Sequence, residues 1–360
     1  MKVIIAAGGT GGHINPGIAI ANMLKEHGHQ VIFVGTERGM ENDLVPKAGY
    51  PLVHIHSQGL ERGMSLKNIG TMVTLCKGIS ECKRLIKEEK PDLLIGTGGY
   101  VTAPLMIAGV SKKVPTMIHE SNALPGKTTI WLSSKVDTVA LGFEAAMKKL
   151  PKAKHAVYTG NPTKMKPHDN KENMKKKLGL DEKSLVLVFG GSQGAKKINE
   201  VMVEMINHND LKSCNLIYAT GPKHYEEIMS KIKNIPENVK IEKYIYNMDE
   251  VMAASDLLVC RSGALTTSEI GIVGVPAILI PFPYAAENHQ YFNAKTLEDV
   301  GGAVIIEEKD LSKEKLASMI NDLIANKSNL KQMGENARKI GNTKAIEKIQ
   351  YEVDKFAKLC

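Results

Sequence analysis

The chain has 360 residues, 43% of them hydrophobic and 24% charged, with a formal net charge of +8 and only 5% aromatics. This is the composition of an ordinary globular protein with apolar material for two cores. Sparse aromatics and a single tryptophan, Trp131, argue against a stacking platform for nucleic acid, so the positive charge points instead to phosphorylated substrates or an anionic membrane face. The five cysteines, Cys76, Cys82, Cys214, Cys260 and Cys360, form no CxxC pair. That speaks against a disulfide framework or zinc knuckle and suits a reducing compartment. The N-terminal MKVIIAAGG is too short and Gly-interrupted for a signal peptide, and no run reaches the roughly 18 apolar residues of a membrane span. Any membrane contact is therefore expected to be peripheral.

Short apolar runs at residues 3–6, 31–34, 93–95, 116–118 and 138–141 read as buried strands, with helical patterns such as 17–26 and 66–87 between them. The second half repeats the plan, with strand-like runs at 185–189, 216–219, 256–259 and 277–280 and helix-like stretches at 199–206, 266–271 and 288–298. Alternation of this kind implies parallel sheets covered on both faces. The Lys- and Pro-rich segment 151–177 is expected to hold the hinge, most of its lysines being solvated. Residues 345–358 form a last helical pattern.

Three glycine-rich turns follow expected strands: Gly8-Gly9-Thr10-Gly11-Gly12, Gly96-Thr97-Gly98-Gly99 and Gly190-Gly191-Ser192-Gln193-Gly194. Glycine there lets backbone N–H groups approach phosphate oxygens, and a following helix N-terminus adds positive potential. One such loop is also what any tight strand-to-helix turn needs; three at equivalent strand ends favour phosphate. None continues into Gly-Lys-Ser/Thr, so a P-loop is excluded. The first loop begins a dinucleotide fingerprint, but Ile14 stands at its last glycine position. Glu37 lies at a plausible ribose-binding distance, which leaves a nicotinamide enzyme as an alternative.

Individual residues stay open on their chemistry alone. Glu269 offers a carboxylate for vicinal hydroxyls, or a helix-capping charge at the start of its helix. Ser192 is a phosphate ligand or an N-cap. His13 is a proton acceptor or a group packed under its loop.

The ordered blocks GGTGGHINPGIAIA (8–21), GTGGYVTAP (96–104), HESN (119–122), GNP (160–162), GGSQGA (190–195), CRSGALTTSE (260–269) and PFPYAAENHQYFNA (281–294) resemble the MurG family through most of the chain. The resemblance implies an α/β chain of GT-B fold, two Rossmann-like doubly wound domains around a central cleft. The first, 1–162, would bind the acceptor and touch the membrane. The second, 163–342, would bind UDP-GlcNAc, and the helix 343–360 would cross back to the first. The implied reaction is inverting transfer of GlcNAc from UDP-GlcNAc, a substrate and not a cofactor, to the C4 hydroxyl of the muramoyl sugar of lipid I. Lipid II for peptidoglycan would result, a step on which cell shape and division depend.

Carried over position by position, the catalytic residues are His13 and Glu269. Donor contacts fall on Thr10, Gly11, Gly12, Asn122, Ser192, Gln193, Ile245, Ala264, Leu265, Thr266, Thr267, Ser268, Glu269 and Gln290, with His289 and Asn293 beside Gln290. The amides of Ala264 to Thr267 would face the diphosphate. Acceptor contacts fall on Gly98, Gly99 and Tyr100. Where the family usually has an arginine after GNP, this chain has Lys164, which keeps the charge without the bidentate fork. No metal or cofactor is implied, and no nucleic acid.

The same resemblance sharpens the helical stripe Leu66, Ile69, Met72, Val73, Cys76, Ile79, Leu85 and Ile86. It either packs on its own sheet or lies on anionic inner-leaflet lipid at the cytoplasmic face, flanked by Lys67, Lys77, Lys83, Arg84 and Lys87. Partners in a cell-wall synthesis complex are compatible with this role. Competing readings are a UDP-GlcNAc 2-epimerase, against which the GGTGGH and GTGGY loops argue, and a sugar-nucleotide-binding protein without catalysis.

Overall fold

The computed structural model describes residues 1–59, 67–167 and 170–358. It divides into two compact units, Met1–Lys164 with Lys344–Cys360, and Met165–Thr343.

In the first unit the strands are β1 (Lys2–Ala7), β2 (Gln30–Gly35), β3 (Leu52–His54), β4 (Leu93–Gly98), β5 (Thr116–Glu120), β6 (Thr138–Leu141) and β7 (Ala156–Tyr158). The helices are α1 (Gly11–Glu26), α2 (Glu41–Lys47), α3 (Lys67–Glu89), α4 (Thr102–Lys112) and α5 (Lys127–Ser133). Among the described residues the sheet order is β3-β2-β1-β4-β5-β6-β7, with every pairing parallel. The runs VIIAA, LLI and TVAL are wholly buried because both faces of a parallel sheet are covered.

The second unit begins with α6 (Lys171–Lys177). Its strands are β8 (Leu185–Phe189), β9 (Asn215–Ala219), β10 (Val239–Glu242), β11 (Leu257–Cys260), β12 (Ala277–Leu279) and β13 (Ala303–Ile305). Its other helices are α7 (Lys196–Asn207), α8 (Tyr225–Lys231), α9 (Met248–Ala254), α10 (Ala264–Val273), α11 (His289–Glu298), α12 (Lys313–Ala325) and α13 (Lys327–Arg338). Its parallel strands run β10-β9-β8-β11-β12-β13. The chain then returns to the first unit as α14 (Ala345–Ala357), which buries Ile349, Val353 and Phe356 in the core beside α1. His155 and Lys355 meet the buried Glu352 of this helix at 3.0 and 2.7 Å.

The boundary between the two units, at Lys164 and Met165, falls inside segment 151–177, which also contains β7 and α6. Most of its described lysines are exposed, but not all are merely solvated. Lys175 is buried and meets Asp256 at 2.7 Å, Lys171 meets the same carboxylate at 3.0 Å, and Lys177 pairs with Glu250. Asp256 also accepts the Leu185 amide at 2.8 Å, so it ties α6 to the foot of β8.

The α3 stripe also divides. Cys82, Leu85 and Ile86 pack in the core and Ile79 against it, whereas Met72, Val73 and Cys76 are exposed. Leu66 and the Ile69 side chain fall outside the described residues. Among the described residues no helix is long and apolar enough to cross a membrane.

Burial works against the Asp256 charge, but Lys171, Lys175 and the Leu185 amide outweigh it and hold the carboxyl below its ordinary range. A lowered folded pKa gives stability that is present above the unfolded value and lost as pH falls through the folded one. Asp256→Asn leaves the buried Lys175 unpaired and is expected to cost about 3 kcal/mol at neutral pH. In denaturant titrations the gap to wild type should narrow below about pH 4; a gap unchanged into strong acid contradicts the assignment.

Candidate functional site

Sheet topology fixes where a ligand belongs in each unit. In the second sheet β8 lies between β9 and β11, so the connections on either side of it run in opposite directions. Ligands of open α/β sheets bind at this switch point, outside the carboxyl ends of the strands. A pocket partly open to solvent lies there. β8 and its loop supply Phe189, Gly191 and Ser192; β9 and its turn supply Ala219 and Gly221. Lys243, Tyr244 and Ile245 come from the segment between β10 and α9, Met248 from the start of α9, and Thr266 and Glu269 from α10.

Of the expected residues, the pocket brings together Ser192, Ile245, Thr266 and Glu269. Phe189, Lys243, Tyr244 and Met248 join them without having been singled out. A polar chain steadies the pocket's edge: buried Tyr218 donates to the Asn199 side-chain oxygen at 2.7 Å, and the Asn199 side-chain NH₂ donates to Thr220 O at 3.0 Å.

The first turn of α10 has the character expected of an anion-binding helix end. Gly263 is its N-cap and offers no side-chain acceptor, and no acidic residue occupies the first turn. The Thr267 amide is not one of the available donors, because it donates to Gly263 O at 2.9 Å. The expected set of four amides therefore reduces to three, Ala264, Leu265 and Thr266. The side chains of Thr267 and Ser268 are buried, and the Thr267 hydroxyl donates to Gly263 O. Glu269 is also not at the helix start. It is the sixth residue of α10, in the second turn, where a carboxylate no longer serves as a cap.

Other expected donor residues stand near this end of the sheet without lining the pocket. Gln193 is exposed. The Gln290 side-chain oxygen accepts the Phe282 amide at 2.9 Å, and its backbone carbonyl accepts the Ser262 hydroxyl at 2.8 Å. Asn293 is fully buried and donates to Ser262 O, so it braces the strand end rather than meeting solvent. His289 is held on Ala286 O at 2.8 Å. Arg261, which sequence reasoning passed over, is buried, pairs with Glu308 and lies over the Phe282 ring.

In the first unit β1 lies between β2 and β4, so the first two glycine loops share a switch point. They are packed on each other. A Cβ on Gly98 would stand 2.2 Å from His13 Nδ1, and one on Gly99 would stand 2.2 Å from Gly8 O. These two glycines thus serve first to admit His13 and the opposing backbone. Thr97 Oγ1 donates to His13 O at 2.8 Å and fixes the first turn of α1. Thr10, Gly11 and Gly12 form the entry to that helix, whose first turn carries no acidic residue. Gly11 and Gly12, expected in a loop, are helical.

Tyr100 is exposed, and its carbonyl accepts the Ser57 hydroxyl at 2.7 Å. Asn122 is half-buried; its amide groups donate to Glu120 at 3.0 and 3.2 Å. Lys164 is exposed at the end of the first unit. His119, in contrast, is a core histidine: burial pushes its pKa down, and it rests on Gly160 O at 3.2 Å. Among the described residues no cluster of three His, Cys, Asp or Glu could hold a metal ion.

Both halves match glycosyltransferase family 28, its N-terminal domain over residues 3–141 and its C-terminal domain over 185–349. A UDP-N-acetylglucosamine--N-acetylmuramyl-(pentapeptide) pyrophosphoryl-undecaprenol N-acetylglucosamine transferase of Acetivibrio thermocellus is 44% identical over 99% of this chain and 98% of its own. The chain belongs to the MurG family. A transferase of the same name from Halalkalibacterium halodurans is 40% identical over 99% of this chain and all of its own. The crystal structure of Acinetobacter baumannii MurG superposes with a TM-score of 0.82 at 30% identity, covering 99% of both chains. The fold is GT-B, two parallel-sheet α/β domains. A UDP-N-acetylglucosamine 2-epimerase structure from Listeria monocytogenes, at 17% identity and TM-score 0.67 over 97% of this chain and 94% of its own, shares that fold alone.

The packing of the first two loops gives a direct test. At Gly98, φ is +120° and no room exists for a Cβ beside His13. Gly98→Ala is therefore expected to lower stability by about 1–3 kcal/mol through overpacking and backbone strain. Thermal unfolding reads this out; an unchanged melting temperature would contradict the contact.

Proposed function

We propose that this chain is an inverting glycosyltransferase that moves GlcNAc from UDP-GlcNAc to the C4 hydroxyl of the muramoyl sugar of lipid I, yielding lipid II. The observation that carries it is the pocket joining Ser192, Ile245, Thr266 and Glu269 beside an uncapped helix end.

In this reading uracil rests against Ile245, walled by Phe189 and Tyr244. The two Glu269 oxygens accept the vicinal ribose hydroxyls. The diphosphate meets the Ala264, Leu265 and Thr266 amides, the Ser192 hydroxyl and the positive end of α10. These dipoles are already oriented, so they stabilise charge growing on departing UDP without reorganising. Gln290, Asn122 and Gln193 bind sugar hydroxyls, and Lys164 adds positive charge to the donor side. Gly98, Gly99 and Tyr100 border the acceptor. His13 takes the proton from the acceptor hydroxyl as its oxygen attacks the anomeric carbon. The bond from that carbon to UDP breaks on the opposite face, and configuration inverts.

Transfer of labelled GlcNAc to a lipid I analogue, run with EDTA present, tests the whole reading. Label should appear in lipid with stoichiometric UDP release. His13→Ala should lower kcat on the order of 100-fold or more with little change in UDP-GlcNAc affinity. Glu269→Ala should instead raise the donor KM roughly 10- to 100-fold, as loss of charged hydrogen bonds does. Water as sole acceptor, or a Mg²⁺ requirement revealed by EDTA, contradicts it.

A lipid-linked acceptor also gives meaning to the exposed apolar residues of the first unit. Met72 and Val73 on α3 and Ile130 and Trp131 on α5 stand in solvent, and Lys135 lies 4.5 Å from the Trp131 ring centre. The cytoplasmic leaflet is the proposed location, bound peripherally through these groups and nearby lysines. A cell-wall synthesis complex is a compatible setting. Val73→Glu should reduce flotation with anionic vesicles, and salt should weaken wild-type binding. Salt-insensitive flotation with neutral vesicles would refute the electrostatic part.

A further inference from the structure

A carboxylate outside every residue set considered so far lies directly behind the first glycine loop. Glu41, at the start of α2, has 0% of its surface exposed. One of its oxygens accepts the Gly9 amide at 2.9 Å. The other accepts the Thr36 amide at 2.8 Å and the Thr36 hydroxyl at 2.9 Å. The chain makes room for this group. A Cβ on Gly39 would stand 1.8 Å from Glu41 Oε2, one on Gly35 2.5 Å from its Cγ, and one on Gly8 3.1 Å from Oε1. A carboxylate this enclosed is costly unless each oxygen is satisfied, and here the donors come from two separate segments.

The position has a topological meaning. Thr36 follows β2 and Gly9 follows β1, adjacent strands of which β1 borders the switch point. In a dinucleotide-binding domain a carboxylate near the end of the second strand faces the ribose. Here Glu37 is exposed, while Glu41 turns inward and takes a glycine-loop amide itself. The Gly9 donor is thereby spent inside the protein. What remains for an anion at this loop is the start of α1, with Gly11 and Gly12, immediately before His13.

We propose that Glu41 is a positioning residue for the transfer reaction: by fixing Gly9 against Thr36 it sets the path of the first glycine loop and so the place of α1's first turn and His13. The proposal rests on the transferase reading for its kinetic arm alone. Burial, the largest influence on this group, opposes its charge, but the Thr36 and Gly9 hydrogen bonds prevail and hold its carboxyl below the ordinary range. It is therefore an acceptor at both oxygens throughout the neutral range. Glutamine has the same shape but only one carbonyl oxygen. Its NH₂ must face either the Gly9 or the Thr36 amide, donor against donor.

The test is Glu41→Gln in the full-length chain, with hydrogen–deuterium exchange and steady-state kinetics well below the melting temperature. Exchange in the peptide spanning 8–13 should rise at least several-fold while the β8 and α10 peptides keep wild-type rates. Acceptor kcat/KM should fall roughly 10- to 100-fold, as small misplacements of reacting groups do, with donor KM and UDP Kd unchanged. A merely structural role would lower the melting temperature and leave these kinetic values at wild type, and that result overturns the proposal. Unchanged exchange in 8–13 overturns it too, whether or not the wild type transfers GlcNAc; a wild type without transfer sinks the transferase reading alone. Should Glu41→Gln not fold, Thr36→Val removes a single hydroxyl bond, and the same exchange and kinetic effects, smaller in size, are required of it.

Discussion

Backbone N–H groups at the carboxyl edge of a parallel sheet must find acceptors, and this chain answers that demand differently in its two halves. In the first unit a buried glutamate takes the Gly9 amide. In the second the loop after β11 ends at Gly263, the N-cap of α10, which has no side chain to accept from that helix. A helix start without side-chain acceptors is a standing site for an anion. Both units keep such a start, α1 after Thr10 and α10 after Gly263, and the first unit in addition ties its glycine loop inward through Glu41.

The same contrast runs through the supporting interactions. Around the pocket of the second unit, buried polar groups are spent on bracing: Asn199 between Tyr218 and Thr220, Asn293 on Ser262, Arg261 on Glu308. Bracing of this kind keeps pocket-facing groups in place before a ligand arrives, which is what electrostatic preorganisation requires. In the first unit the bracing acts on His13 instead, through Thr97, Gly98 and the Glu41 network. The chemistry proposed for each half follows from what its loops are tied to.

Much of this was legible in the sequence. The central strands stand out because both their faces are buried, giving continuous apolar runs such as LVLVF. The glycine turns after β1, β4 and β8 mark the switch points. Edge or outer strands β3, β7, β10 and β13 escaped, since each has only three or four residues and most are half-buried. Helix starts were placed late because glycines that read as loop, Gly11 and Gly12, are the first residues of α1. Glu269 was set too near its helix start for a related reason: Gly263, not a later residue, is the N-cap. Lys175 looks like any lysine in a basic run until Asp256, far along the chain, is folded beside it. Glu41 left one faint signal, the glycines at 35 and 39 that make its room, and spacing alone does not say which acid they surround.

A crystal structure of the chain with UDP decides which unit holds the nucleotide diphosphate. With UDP in the second unit, diphosphate oxygens should lie within about 3.2 Å of the Ala264, Leu265 or Thr266 amides, with the ribose on Glu269 and the base against Ile245. A diphosphate bound instead at Gly11 and Gly12, with the pocket of Ser192 and Glu269 empty, would contradict the proposed donor site.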